Sequence, residues 1–299
     1  MADFWQQVVA GLASGSIYAS LALALVLIHR ATGVINFAQG EMATFSTYIA
    51  WALTTNHGWS YWPAFAVTLL ASFAGGVAIH QGIIRPNEKG SVLRVVIVTI
   101  GLLLALNGLV TLIWSGEVRA MQSPFPTRTI DIAGVAISIQ DIGTIGVVLA
   151  TVVALWALFQ YTKVGLAMRA AAVNPAEARL VGVRVTWMLS LGWGLAAVLG
   201  AISGMLAAPS LFLDPNLMAA LLIYAFAAAV LGGIDSPIGA VVGGLVIGVL
   251  LNMLSYLSQY GAFDWFTEEL RLPMALLIIL GVLLVRPQGI FGKPEVKRV

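Results

Sequence analysis

Residues 162–186 read TKVGLAMRAAAVNPAEARLVGVRVT. This is the longest polar interruption that keeps a helical pattern, and the rest of the chain falls into apolar runs on either side of it. It carries Lys163, Arg169, Arg179 and Arg184, four of the fifteen basic residues. Asn174-Pro175-Ala176-Glu177 spells a helix start: Asn caps well, Pro suits the first helical position, and Glu three residues on reaches back to the cap. Gly182 supplies the stop. The spacing predicts a helix over about 175–181, roughly 10 Å long. So short a helix is marginal alone in water and needs a surface to dock against.

Composition fixes the surroundings of that loop. Of 299 residues, 60% are hydrophobic and 9% charged, with mean hydropathy +0.96. A soluble domain carries about 25% charged residues. Several apolar runs reach the roughly 20 residues that cross a bilayer as helix, and period-2 alternation is missing, so helices rather than a β-barrel are expected. With no cysteine, disulfides, thiol nucleophiles and Cys-ligated metals are excluded. His29, His57 and His80 have no metal-ligand spacing. The first apolar run is too long for a cleavable signal, and a second span follows at once.

Spans are expected near 5–29, 35–55, 61–83, 92–115, 140–160, 187–208, 217–233, 238–258 and 272–286, in an all-α, polytopic bundle of 8–10 transmembrane helices. The chain 1–299 reads as a single transmembrane domain. Within it, 162–186 is a cytoplasmic loop and 115–139 an external one, the latter holding a hairpin or short interfacial segment. With the C-terminus and the 162–186 loop inside, twelve basic residues lie inside: Arg30, Arg85, Lys89, Arg94, Lys163, Arg169, Arg179, Arg184, Arg286, Lys293, Lys297 and Arg298. Only Arg119, Arg128 and Arg271 lie outside. That is a strong positive-inside bias. Glu117, Asp131, Asp214, Asp264, Glu268 and Glu269 give an acidic outer face, and the net charge of +2 gives no reason to expect a nucleic-acid partner. Gly11 and Gly15, Gly200 and Gly204, and Gly244 and Gly248 sit at helix-packing spacing.

Two further stretches stand out. His29-Arg30-Ala31-Thr32-Gly33-Val34-Ile35-Asn36-Phe37-Ala38-Gln39-Gly40-Glu41 sets Asn36, Gln39 and Glu41 within two turns at the start of a span. Unpaired polar groups are costly in hydrocarbon. Two readings fit: an anchor with Glu41 paired to Arg30 and the amides satisfying a broken helix, or a gate or substrate-path lining. Asn107 and Asn252 are single mid-span amides, more often interhelical glue than substrate contacts. Leu231-Gly232-Gly233-Ile234-Asp235-Ser236-Pro237 marks a tight turn or a discontinuous helix, where transporters place irregular backbone. There is no GxxxxGK[ST], so ATP is not bound in the P-loop manner. No paired intramembrane carboxylates and no HExxH are present, and all histidines lie in the first 80 residues, so catalysis is not expected.

Together these stretches resemble the permease subunits of branched-chain amino acid ABC importers, of the LivH type. GSIYASLALALVLIHRATGVINFAQGEMA (15–43) is similar to that family's N-terminal signature and TKVGLAMRAAAVNPAEARLVGV to its cytoplasmic loop. VLGGIDSPIGAVVGGLVIG and LLVRPQGIFG are similar to its C-terminal blocks. His29 stands where tyrosine is more usual, and Asp235-Ser236-Pro237 where Gly-Ser-Ile/Pro is. The resemblance implies a type II ABC-importer-like permease fold in a bacterial inner membrane. It implies as partners a LivM-type sister permease, two ATPase subunits and a periplasmic binding protein. ATP and Mg would sit on the ATPases, and no cofactor on this chain. It implies that Asn174, Pro175, Glu177, Ala178, Arg179 and Gly182 form a coupling helix that enters a groove on the ATPase, with Ala176, Leu180 and Val183 as its apolar side. Asn36, Gln39, Glu41, Asn107, Gly232 and Gly233 are the candidates for path or gate.

A secondary transporter or channel for small amino-acid-like solutes is the alternative. It would be expected to bury ionisable residues mid-membrane for coupling, and those are nearly absent here.

Overall fold

The computed structural model describes residues 2–88, 90–126, 128–132, 135–259 and 267–292. It is helical almost throughout. The helices are α1 (Ala2–Thr32), α2 (Gln39–Trp51), α3 (Tyr61–Ile79), α4 (Val92–Trp114), α5 (Ile139–Tyr161), α6 (Lys163–Val173), α7 (Pro175–Leu180), α8 (Val185–Leu211), α9 (Leu217–Gly232), α10 (Pro237–Gln259) and α11 (Arg271–Val285). The nine segments other than α6 and α7 coincide with the nine expected spans. Among the described residues, α1, α3, α4, α5, α8 and α10 are long and apolar enough to cross a membrane. α2, α9 and α11 are shorter. α2 continues through a π-helical turn, Ala52–Asn56, and α3 through another, His80–Ile84. Among the described residues one hairpin forms, within the loop expected to be external: β1 (Thr129–Ile132) pairs with β2 (Val135–Ser138), antiparallel, with Ile130 opposite Ile137.

The chain groups into two compact units. The first comprises residues 1–26, 125–147 and 220–299, and is organised by α1 against α10. The two helices run antiparallel with glycine facing glycine. A Cβ on Gly15 would sit 2.8 Å from the Gly244 carbonyl oxygen, and one on Gly248 would collide with the backbone of Gly11 and Gly15. In lipid no hydrophobic force pulls helices together, so backbone approach of this kind is what holds them. The Tyr18 and Tyr224 rings pack alongside, with centroids 5.1 Å apart.

The second unit, residues 27–124 and 148–219, is built round α8, which is buried along most of its length, with Trp193, Leu199 and Met205 fully enclosed. Gly194 of α8 receives Phe73 of α3, while Gly200 and Gly204 lie under Gln39, Ala43 and Thr47 of α2. Ser72 of α3 donates to Ser46 of α2 (2.8 Å), and Tyr61 donates to the Met205 carbonyl (3.1 Å). The three glycine pairs expected to pack helices do so.

The end of this unit where α2 and α4 finish is tied by a single arginine. Arg119 exchanges two backbone hydrogen bonds with Leu213, both 2.8 Å. Its guanidinium lies 4.4 Å over Trp51 and donates to the Trp114 carbonyl at 2.6 Å. Trp114 in turn stacks on Tyr48, centroids 5.2 Å apart. The loop after α4 is thereby fixed to the α8–α9 connection that carries Asp214, Pro215 and Asn216.

Candidate functional site

The polar loop folds as its residues dictate. α7 spans Pro175–Leu180, one residue shorter than expected. The Asn174 carboxamide oxygen accepts from the N–H groups of Ala176 and Glu177, each at 3.2 Å. Glu177 does not close the expected reciprocal box, because the Asn174 N–H already donates to the Ala170 carbonyl of α6 (3.1 Å). At the other end Gly182 takes φ +85°. The Val183 N–H reaches the Ala178 carbonyl (3.0 Å) and the Gly182 N–H the Arg179 carbonyl (3.1 Å), the paired bonds of a Schellman stop.

α7 docks by Ala178, which is buried with Ala171 and Val185 and covered by Val183, Met188 and Leu189. Ala178 and Val183 therefore face the chain itself rather than a partner. Of the expected apolar side, Ala176 and Leu180 do face outward and only Val183 turns inward: Ala176 and Glu177 are exposed, and Val173, Leu180 and Val181 are 82%, 87% and 79% exposed. A small apolar ridge is thus presented on a capped, rigid loop, with Arg179 beside it.

The second cluster lies at the head of α2. α1 ends at Thr32, and residues 33–38 are not helical. Such backbone is tolerated at membrane depth only where protein covers it, and Val34, Asn36 and Ala38 are buried. The Asn36 side-chain oxygen accepts from the Ala38 N–H (3.0 Å), and its amide lies 3.4 Å from the Gln39 oxygen. The Gln39 amide donates to the Ala196 carbonyl of α8 (2.9 Å). Ala196 stands about 16 Å along α8 from its start, so α2 begins beside the middle of α8 rather than at its end.

Glu41, in the first turn, is also buried, and Asn107 of α4 donates to it at 3.4 Å. Asn107 further meets the Pro215 carbonyl (3.1 Å) and the Asn216 side-chain oxygen (3.3 Å). The expected Glu41–Arg30 pair does not form: Arg30 is exposed, and Glu41 turns to α4. The amides do satisfy the broken helix.

The structure thus brings Asn36, Gln39, Glu41 and Asn107 into one region. Gly232 and Gly233 belong elsewhere. They form the α9–α10 turn of the other unit, with Gly233 at φ +106°. The segment after α11 folds over that turn, Ile290 N–H donating to the Leu231 carbonyl (2.8 Å) and Phe291 N–H to the Gly232 carbonyl (3.0 Å). These bonds satisfy the last carbonyls of α9, and the two glycines form the turn beneath that cover. Asn252 bonds back to Gly248 of its own helix (3.1 Å). Of the residues expected to make an acidic outer face, Glu117 pairs with Arg119 at 3.7 Å and Asp214 accepts from the Asn216 N–H (2.7 Å). Asp264 and the side chain of Glu268 lie outside the described residues, as do Lys89, Lys293, Lys297 and Arg298.

One polar group escaped the sequence reading. His80, fully buried at the π turn ending α3, sets Nδ1 2.8 Å from the Ser190 hydroxyl and Nε2 2.9 Å from the Glu88 carboxylate. Ser190 itself donates to the Thr186 carbonyl (2.9 Å). Ser, His and an acid suggest hydrolysis, but the ring nitrogens are used in the opposite order to a nucleophilic serine, and nothing reaches the buried hydroxyl. The cluster is a latch between α3 and the first turns of α8. Replacing His80 with Leu is expected to cost about 1–3 kcal/mol by stranding a buried acceptor and the carboxylate, read as a fall in melting temperature of the purified protein, with His80→Gln less harmful.

Residues 7–285 match the family described as branched-chain amino acid transport system / permease component. The chain belongs to that family. This permease is 31% identical to the high-affinity branched-chain amino acid transport system permease protein BraD of Pseudomonas aeruginosa, over 99% of its own length and 98% of the relative's. It is 30% identical to the corresponding permease protein LivH of Escherichia coli K12, with the same coverage. In fold the permease is similar to PsaBC from Streptococcus pneumoniae, solved in complex with Fab. The TM-score there is 0.50 at 16% identity, covering 93% of this chain and 91% of that one.

Proposed function

We propose that this permease carries branched-chain amino acids inward as one half of the translocation path of an ATP-driven importer. Its partners would be a LivM-type sister permease, two ATPases that hold ATP and Mg, and a periplasmic binding protein. The observation that carries the reading is α7. A helix of six residues is capped at both ends, anchored inward by one alanine, and left with an apolar ridge outward. A solvated loop has no reason to expose Val173, Leu180 and Val181 together, whereas a helix seated in a groove of an ATPase does.

Asn174, Pro175 and Gly182 hold the shape, Leu180 and Val181 fill the groove, and Glu177 and Arg179 make the polar contacts. Because α7 packs directly on the start of α8, closure of the ATPases would move α8, and with it the α2 that rests on Gly200 and Gly204. Asn36, Gln39, Glu41 and Asn107 then stand where the path would pass. The 162–186 loop and the C-terminal segment face the cytoplasm of a bacterial cell, as the distribution of basic residues favours.

The substrate class rests on the two relatives. Deleting the gene for this chain is expected to abolish high-affinity uptake of labelled leucine, isoleucine and valine, and a plasmid copy to restore it. Unchanged uptake of all three, with loss for another solute, would replace the substrate while leaving the machine.

A further inference from the structure

Of Asn36, Gln39 and Glu41, the last has the most accepting capacity to spare. The Asn36 side-chain oxygen is taken by the Ala38 N–H and the Gln39 amide by the Ala196 carbonyl. Glu41 is different. It is 6% exposed, and among the described residues its one hydrogen bond is the long one from Asn107, 3.4 Å. Among the described residues no Lys, Arg or His lies within ion-pair reach of it. The charge of Asp214 acts on it as well, with the same sign.

Counting donors sharpens the imbalance. The Asn107 amide has two hydrogens and faces three acceptors: Glu41, the Pro215 carbonyl and the Asn216 side-chain oxygen. Among the described residues nothing donates to the second carboxylate oxygen of Glu41. Around Asn107 the acceptors therefore outnumber the donors and the charge is negative, while the Thr44 and Tyr48 hydroxyls, unpartnered among the described residues, lie further along α2. A buried carboxylate without a cation is costly. That cost is offset whenever a cation with several N–H donors arrives.

We infer that Glu41, with the Pro215 carbonyl and the Asn216 side chain, is a transient receptor for the α-ammonium group of the amino acid in passage. The inference rests on the importer reading above and deepens it. An alkylammonium brings three donors and one positive charge, which is what the cluster lacks. Asn107 is the positioning residue: it holds the carboxylate toward the α8–α9 connection until the ligand takes over.

The test uses the full complex with its binding protein in proteoliposomes, with labelled leucine as probe. Glu41→Gln is expected to lower maximal uptake about tenfold or more, the loss of one charge-assisted hydrogen bond. Assembly and melting temperature should persist, and Glu41→Asp should be intermediate. Uptake by Glu41→Gln within twofold of wild type overturns the inference.

Should Glu41→Gln fail to assemble, Asn107→Cys gives a second arm, since the chain has no other cysteine. This variant keeps the carboxylate. A cationic methanethiosulfonate is expected to label it faster than an anionic one, and leucine during turnover to slow the labelling. Equal rates for the two reagents, or no labelling in any nucleotide state, overturns the inference. If wild type shows no ATP-dependent leucine uptake, it is the importer reading that fails, not the role of Glu41.

Discussion

Glu177→Lys combined with Gly182→Trp is expected to bring ATP-driven uptake to background while the membrane spans stay folded. The two changes act at opposite ends of α7. Glu177 lies in the first turn, where an acidic side chain suits the helix dipole and a lysine opposes it. Gly182 holds φ +85°, a conformation that costs other L-residues about 1–2 kcal/mol. Nothing of this chain lies within 4 Å of a Cβ built there. A tryptophan would therefore project outward, beside Leu180 and Val181, and block a groove that receives them. Spans distant from the loop lose no contact.

The measurement is affinity purification from detergent-solubilised membranes, followed by leucine uptake. Wild type is expected to retain the ATPases and the sister permease, and the double variant the sister permease alone. Gly182→Asn is the control, because Asn tolerates the left-handed region; it should keep both partners. Retention of the ATPases by the double variant would remove α7 from the coupling role.

Gly248→Leu is expected to destroy the α1–α10 seam. Its Cβ meets main-chain atoms of Gly11 and Gly15, which cannot rotate away as a side chain would. Overpacking against a flexible core typically costs about 1–3 kcal/mol, and a backbone collision exceeds that. The protein should be lost to aggregation on solubilisation, read as disappearance of the monodisperse peak in size-exclusion chromatography. Gly101→Ala in α4 makes the contrast. Its Cβ meets nothing within 4 Å, and alanine is the better helix former by about 1 kcal/mol. That variant should melt at or slightly above wild type. Equal behaviour of the two variants would show that the seam is not what holds this unit.

Much of this was legible in the sequence, and the reason is local. Apolar runs mark nine helical segments without any partner, six of them of span length among the described residues, and Asn174-Pro175 with Gly182 fixes both ends of α7 through hydrogen bonds inside ten residues. Glycines four apart announce close helix contact whatever the contact turns out to be. The rest depends on groups far apart in the chain. Glu41 was assigned to Arg30 because Arg30 is near in sequence, yet its partner is Asn107, 66 residues on. His80 and Ser190 are 110 residues apart, and no local pattern links them. The glycines at 232 and 233 read as irregular backbone, which they are. Only the fold shows that the chain's own 288–292 segment fills the space above them. Helical spacing groups Ala176 with Leu180, and both do turn outward, but it also groups Val183 with them, and the turn at Gly182 carries Val183 inward beside Ala178.

The central claim is that transport by this chain is driven by ATP through partner subunits. Its most direct test is leucine uptake into proteoliposomes holding the purified complex and the binding protein, with sodium and proton gradients collapsed by ionophores. The expected result is uptake that requires ATP on the ATPase side and stops with a non-hydrolysable analogue. Uptake by the chain alone, without ATP and abolished by the ionophores, would contradict the claim and make the chain a secondary transporter.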